Sequence, residues 1–231
     1  MREKSLKTLI LTLCAAAGWF FAQAVAQAAE HPAPSKQKGW TPLFTGEEAQ
    51  LDLWKMKPGS WAVEDDTLAR KGGGDIVTKQ SFDDFLLDLE FKVAPKTNSG
   101  VAIRLDEESK PWWRNGALEI QVLDSADKEK PGKHDCGALY DLIAPKVNAA
   151  KPAGEWNRLT VKAKGSKIEV VLNGELVVDC DLDDWPEARK NPDGTPNKYK
   201  EAMKDHPRTG PVLLQDHGNP VWYRNVWVKE L

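Results

Sequence analysis

The stretch Gly116-Ala117-Leu118-Glu119-Ile120-Gln121-Val122-Leu123-Asp124 decides the fold class. Its apolar residues recur at every second position, which is the period of a half-buried β-strand. Leu118, Ile120 and Val122 fall on one face. Glu119 and Gln121 fall on the other, about 7 Å apart by strand geometry. A carboxylate beside an amide, with Asp124 just beyond, can grip and act on a polyhydroxylated ligand. An ordinary solvated strand face has the same pattern.

The same period extends outward in both directions. Phe85, Leu87, Leu89, Phe91 and Val93 alternate with Asp88, Glu90 and Lys92, and Val101, Ile103 and Leu105 alternate with Ala102 and Arg104. Leu159, Val161 and Ala163 form a further strand. Ile168, Val170 and Leu172 run into Asn173-Gly174, a two-residue hairpin signal, and residues 175–180 return. Trp61 and Val63, then Asp65-Asp66 and Leu68, read as a second hairpin. Strands at 76–78, 212–215 and 221–228 complete the pattern, and the last places the C-terminal region inside a sheet. Glu187 to Lys190 reads as one helical turn, and no longer helix is expected. About a dozen short strands with polar turns predict an all-β, two-sheet antiparallel sandwich. The irregular segment 125–152 is too long for a simple connection, which marks it as functional or mobile.

The N-terminus carries Arg2, Lys4 and Lys7, an apolar run from Leu9 to Val25, and small residues at Ala26-Gln27-Ala28. This is the pattern of a secretory signal peptide over residues 1–28, against the alternative of a retained anchor. Cys14 is followed by alanines rather than preceded by small residues, which argues against lipidation. Residues 29–38 form a polar leader, and a single domain spans 39–231. The whole chain has a formal charge of -3. Such an acidic, mixed-charge surface predicts no nucleic-acid partner and no membrane partner after signal removal. The expected location is the periplasm or the cell exterior. Cys136 and Cys180 are either one disulfide of an exported protein or two unpaired small apolar residues.

Several residues carry candidate chemistry. If the strands of Ile103 and Ile120 are neighbours, Arg104 joins Glu119 and Gln121 on one face and holds the carboxylate ionised. Gln215 and His217 share a face at strand spacing, and His217 sits before the turn Gly218-Asn219-Pro220. A histidine there is placed for proton transfer, or for capping the turn. His134 and Tyr140 lie in the long loop, whereas His206-Pro207 reads as a surface turn. His134, Asp135 and Asp141 match no metal-ligand spacing, so neither a metal nor a cofactor is expected. Of the ten tryptophans, most are suited to packing, but Trp112-Trp113 precedes a loop, where an indole can stack on a sugar ring or plug the sandwich. Motifs of serine hydrolases, P-loops and dinucleotide sites are absent.

An ordered set of short motifs spans residues 39 to 231. It begins with Gly-Trp-Thr-Pro-Leu-Phe-Thr-Gly (39–46), Trp61-Ala-Val-Glu-Asp65, Phe85-Leu-Leu-Asp-Leu-Glu-Phe91 and Asn98-Ser-Gly-Val-Ala-Ile-Arg104. It continues through Glu119-Ile-Gln121, Gly137-Ala-Leu-Tyr-Asp141, Pro152-Ala-Gly-Glu-Trp-Asn157, Leu172-Asn-Gly174, Gln215-Asp-His-Gly218 and Arg224-Asn225. In this order the set resembles the 3-keto-disaccharide hydrolase domain, built on the concanavalin A-like jelly roll. The resemblance implies an exported enzyme acting on glycosides whose C3 hydroxyl has become a ketone. A base removes the acidified C2 proton, the enolate expels the C1 glycosidic oxygen, and water adds to the enone. That chemistry needs a base, an enolate stabiliser and an acid.

On this reading Glu119 or His217 transfers the proton, and Arg104 and Gln121 polarise the ketone or bind hydroxyls. Trp113 and Tyr140 form a sugar platform, and Asp124, His134 and Gln215 contribute further contacts to the glycoside or oligosaccharide. The opening strand is also similar to the Glu-x-Asp-x-x-Glu motif of laminarinase-type glycosidases. Here Gln121 replaces the central Asp and Asp124 the last Glu, which disfavours a conventional two-carboxylate glycosidase. A non-catalytic carbohydrate-binding module on the same fold is the competing reading.

Overall fold

The computed structural model describes residue 34, residues 37–112 and residues 116–231. The expected signal segment 1–28 and Trp113 lie outside the described residues, as does most of the leader 29–38. Among the described residues, thirteen strands pack as two antiparallel sheets. In chain order they are β1 (Thr41–Phe44), β2 (Trp54–Lys55), β3 (Trp61–Glu64), β4 (Thr67–Arg70), β5 (Ile76–Phe82), β6 (Phe85–Val93) and β7 (Asn98–Ile103). Then follow β8 (Leu118–Leu123), β9 (Asn157–Lys164), β10 (Lys167–Leu172), β11 (Glu175–Asp181), β12 (Gly210–Leu214) and β13 (Val221–Glu230).

The larger sheet runs β11-β10-β9-β6-β13-β4-β3, with β1 also paired to β13. The smaller runs β2-β5-β12-β7-β8. Alternation decides which side chains face inward. Phe85, Leu87, Leu89, Phe91 and Val93 of β6 are buried in the same core as Val101, Ile103, Leu118, Ile120 and Val122 of β7 and β8. Asn173 and Gly174 both have positive φ, 51° and 89°, the geometry of the tight turn their sequence predicts between β10 and β11. Trp112 is helical, and the other helical residues among those described lie in short 3-10 turns.

Three expectations are corrected in detail. Residues 187–190 form a hydrogen-bonded turn, not a helical one, and the turn closes in a bridge between Lys190 and Pro196. His206 is buried rather than on a surface turn, and its Nε2 lies 3.2 Å from the Arg104 carbonyl oxygen. Burial lowers its pKa to about 4. Leu105 falls past the end of β7. Of the two alternatives for Cys136 and Cys180, the unpaired one holds: both thiols are free.

Candidate active site

β8 is the outermost strand of the small sheet, and Glu119 and Gln121 project from its outer face. Both are nonetheless buried, at 4% and 3% exposure. Two polar loops cover them. Segment 137–140 bonds along the free edge of β8, with Tyr140 N donating to Glu119 O at 2.8 Å and Gln121 N to Ala138 O at 3.0 Å. Segment 183–208 folds back over the sheet and is pinned by Tyr199, whose hydroxyl donates to Ala117 O at 3.2 Å. Between sheet and loops lies a cavity of about 600 Å³.

Among the described lining residues, Lys198 brings an ammonium into this cavity. Its ammonium lies 3.3 Å from Glu119 Oε2 and 4.4 Å from the centre of the Tyr140 ring. Burial raises the Glu119 pKa, although Lys198 pulls it back. Burial also lowers the Lys198 pKa, although Glu119 pulls it up. The two shifts run toward each other, which brings a proton acceptor and a proton donor closer to neutrality within one cavity. Gly100 lies against this carboxyl: a Cβ there would stand 2.6 Å from Glu119 Oε1.

Amide groups line the floor next to the pair. Gln121 Nε2 donates to Asn98 Oδ1 at 3.1 Å, and Gln215 lies on the neighbouring strand edge, its N–H bonded to Gly100 O. The Oε1 atoms of Gln121 and Gln215 are buried without a hydrogen-bond partner. An unpaired buried acceptor costs about 1–3 kcal/mol, which a hydroxyl donor from a ligand would recover.

The opposite rim is built on Asp75, just before β5. Its Oδ2 accepts from Trp112 Nε1 at 2.8 Å and its Oδ1 from Asp216 N at 2.8 Å. Burial raises the Asp75 pKa against these two donors. Asp216 answers across the gap: it accepts from Gly74 N at 2.9 Å and is paired with Arg70. Burial would raise the Asp216 pKa, but donors from Arg70, Gly218 and Gly74 together hold it below the usual carboxylate value. Exposed His217 follows on the rim.

Of the residues expected from sequence, Glu119, Gln121, Tyr140, Gln215 and His217 come together here. Arg104 does not, because β7 ends at Ile103 and Arg104 takes a φ of 51°. That left-handed turn removes it from the strand's alternation. Its guanidinium is fully buried and bonds to Gly165 O at 2.6 Å and Asp83 O at 3.2 Å, with Asp84 at 3.5 Å. Asp124 closes a turn past the end of β8 by accepting from Lys96 N at 2.8 Å. His134 stands behind the cavity wall, 2.9 Å from Asp141 and with its ring centre 4.6 Å from that of Tyr140. Tyr140 is engaged by a ring and a cation, and Trp112 lines the cavity on the side of Asp75.

Sequence reasoning missed Lys198, Asp75 and Asn98, and of the Trp112-Trp113 pair it gave the platform role to Trp113, whereas Trp112 lines the cavity. Asn98 could have been read by extending the alternation of β7 back by two residues. The others come from loops, where no period applies. Among the described residues, no group of three or more His, Cys, Asp or Glu side chains is disposed to hold a metal ion.

Comparison with known proteins agrees with this architecture. The chain is 29% identical over 235 residues to a 3-keto-disaccharide hydrolase of Bacteroides thetaiotaomicron, covering 86% of this chain and 80% of that protein. A crystal structure of a candidate glycosyl hydrolase from Parabacteroides distasonis superposes with a TM-score of 0.75 at 33% identity, over 83% of this chain and 99% of that one. A Bacillus subtilis protein with a galectin-like fold, 11% identical, superposes at 0.53 over 83% of this chain and 94% of its own, which shows the shared sandwich alone. Residues 39–229 match the family model of the 3-keto-alpha-glucoside-1,2-lyase-like domain. The chain therefore belongs to the 3-keto-alpha-glucoside-1,2-lyase-like domain family.

Proposed function

We propose that this protein is a carbohydrate-active enzyme that cleaves 3-keto-glycosides by elimination and hydration. The observation that carries the reading is the Glu119–Lys198 pair, a buried carboxyl 3.3 Å from an ammonium in a cavity lined by amides. The Glu119 carboxylate takes the C2 proton. The Lys198 ammonium stabilises the negative charge that develops on the C3 oxygen. The C1–O bond then breaks, and its electron pair leaves with the glycosidic oxygen, which is protonated by His217 at the rim. Water adds its oxygen to C1 of the enone and C2 regains a proton, so the net change is hydrolysis. Gln121 and Gln215 accept hydrogen bonds from ring hydroxyls.

A conventional glycosidase needs a second free carboxyl across the scissile bond. Asp75 is the nearest candidate in this cavity, but both its oxygens already accept N–H donors. The experiment is aglycone release from a p-nitrophenyl 3-keto-glucoside and from its unoxidised parent. Release from the keto compound, lost in Glu119→Gln, is expected. Binding of both compounds without release from either would establish a binding module instead.

A further inference from the structure

Asp75 has no part in the chemistry above, yet both its oxygens are engaged. It joins three pieces of chain that are distant in sequence. One oxygen holds the Trp112 indole and the other holds the backbone of Asp216, each at 2.8 Å. The tie is reciprocal, because Asp216 holds Gly74 N at 2.9 Å, next to Asp75, and is itself anchored by Arg70. Two carboxylates therefore clasp two loops, and the clasp carries Trp112 on one side and His217 on the other.

We infer that Asp75 is a positioning residue that fixes the Trp112 indole as the aromatic wall of the cavity and so sets affinity for the sugar ring. This rests on the glycoside reading of the cavity given above. An indole has one N–H donor, at its edge, and the bond to Asp75 anchors that edge where Trp112 lines the cavity and packs on Ala102, Leu105, Ala117 and Leu213. A charge-assisted bond of this kind is stronger than one to a neutral acceptor. Asp75→Asn breaks the arrangement, since an amide presents a donor to one of two N–H groups that both need an acceptor.

The test uses the full-length protein, Asp75→Asn, Trp112→Phe and the double variant. In the substrate-free protein, the Trp112 indole N–H resonance is identified by its absence in Trp112→Phe. It should move upfield in Asp75→Asn. With p-nitrophenyl 3-keto-glucoside, Asp75→Asn and Trp112→Phe should each raise KM about tenfold with little change in kcat, and the double variant should match Trp112→Phe. An unmoved indole resonance would overturn the inference. So would a fall in kcat on Asp75→Asn that persists in the Trp112→Phe background, because Asp75 would then act on the reaction directly. If Asp75→Asn does not fold, Trp112→Phe alone decides: wild-type KM in that variant overturns the role. Absence of turnover in the wild type would sink the glycoside reading but leave the indole measurement intact.

Discussion

Gly100→Ala isolates the position of the Glu119 carboxyl from its chemistry. The added methyl would stand 2.6 Å from Glu119 Oε1, 3.1 Å from Cγ and 3.2 Å from Cδ. To regain an ordinary contact of about 3.4 Å, the oxygen must retreat by about 0.8 Å. The carboxyl is buried and bonded to Lys198, so it cannot swing into solvent without breaking that pair. A displacement near 1 Å of a reacting group costs about 10²-fold in rate, or about 2.7 kcal/mol of transition-state stabilisation. The folding cost is smaller. Crowding costs about 1–3 kcal/mol, and replacing glycine by alanine at a φ that alanine can adopt returns about 0.4–1 kcal/mol. The variant should therefore remain folded, with a modestly lower Tm, and lose about 10²-fold in kcat/KM on a 3-keto-glucoside. Wild-type kcat/KM in a folded Gly100→Ala protein would refute the reasoning, since the placement of Glu119 would then not limit the rate.

Three further outcomes are expected. The acid limb of the kcat/KM profile should lie above the ordinary carboxylate range, because burial makes Glu119 titrate above its ordinary value. Lys198→Met removes the charge that holds the Glu119 pKa down, so the acid limb should move to still higher pH; an unmoved limb counts against the pair. Stability should fall on acidification between pH 6.5 and about 4, since His206 is held neutral in the fold with its pKa lowered to about 4. The unfolded chain binds that proton first, so the contribution is complete above 6.5 and lost as pH falls through the window. The loss is about 3 kcal/mol, and His206→Gln should flatten this part of a plot of Tm against pH. Asn191→Ala should loosen the segment that carries Lys198. The Asn191 Oδ1 accepts from Trp185 Nε1 at 2.9 Å and Asn197 Nδ2 at 3.0 Å, so about 2–3 kcal/mol of stability and much of the activity should be lost. Unchanged kcat/KM would show that Lys198 is held by other means.

The sandwich was legible because its strands repeat every second residue and one face of each is buried. β6 spans Phe85–Val93, the full length of the alternating run, and Asn173-Gly174 marks the β10–β11 hairpin. Alternation made the site legible only on strands and just past their ends, whereas Tyr140, in the long loop, came from the ordered motifs. Glu119 and Gln121 follow from the alternation of β8, and Gln215 and His217 from the end of β12. Arg104 shows the limit. One residue past the strand, a positive φ breaks the period and the side chain turns away, and no local residue type announces that turn. Lys198 and Asp75 sit in polar loops, where neighbours in space are set by long-range closure rather than by spacing. The Asn191 network and the buried Tyr199 ring fix Lys198 over β8, and those contacts join residues 50 and 82 positions apart.

The central claim is that the bond breaks through removal of the C2 proton. It is tested most directly with a 3-keto-glycoside carrying deuterium at C2, turned over in ordinary water, with an enzyme-free control for spontaneous exchange. The account predicts that the released 3-keto-sugar has lost the label, and that wild-type turnover is slower on the labelled substrate than on the unlabelled one. Release of sugar with the C2 deuterium retained, at an unchanged rate, would contradict it.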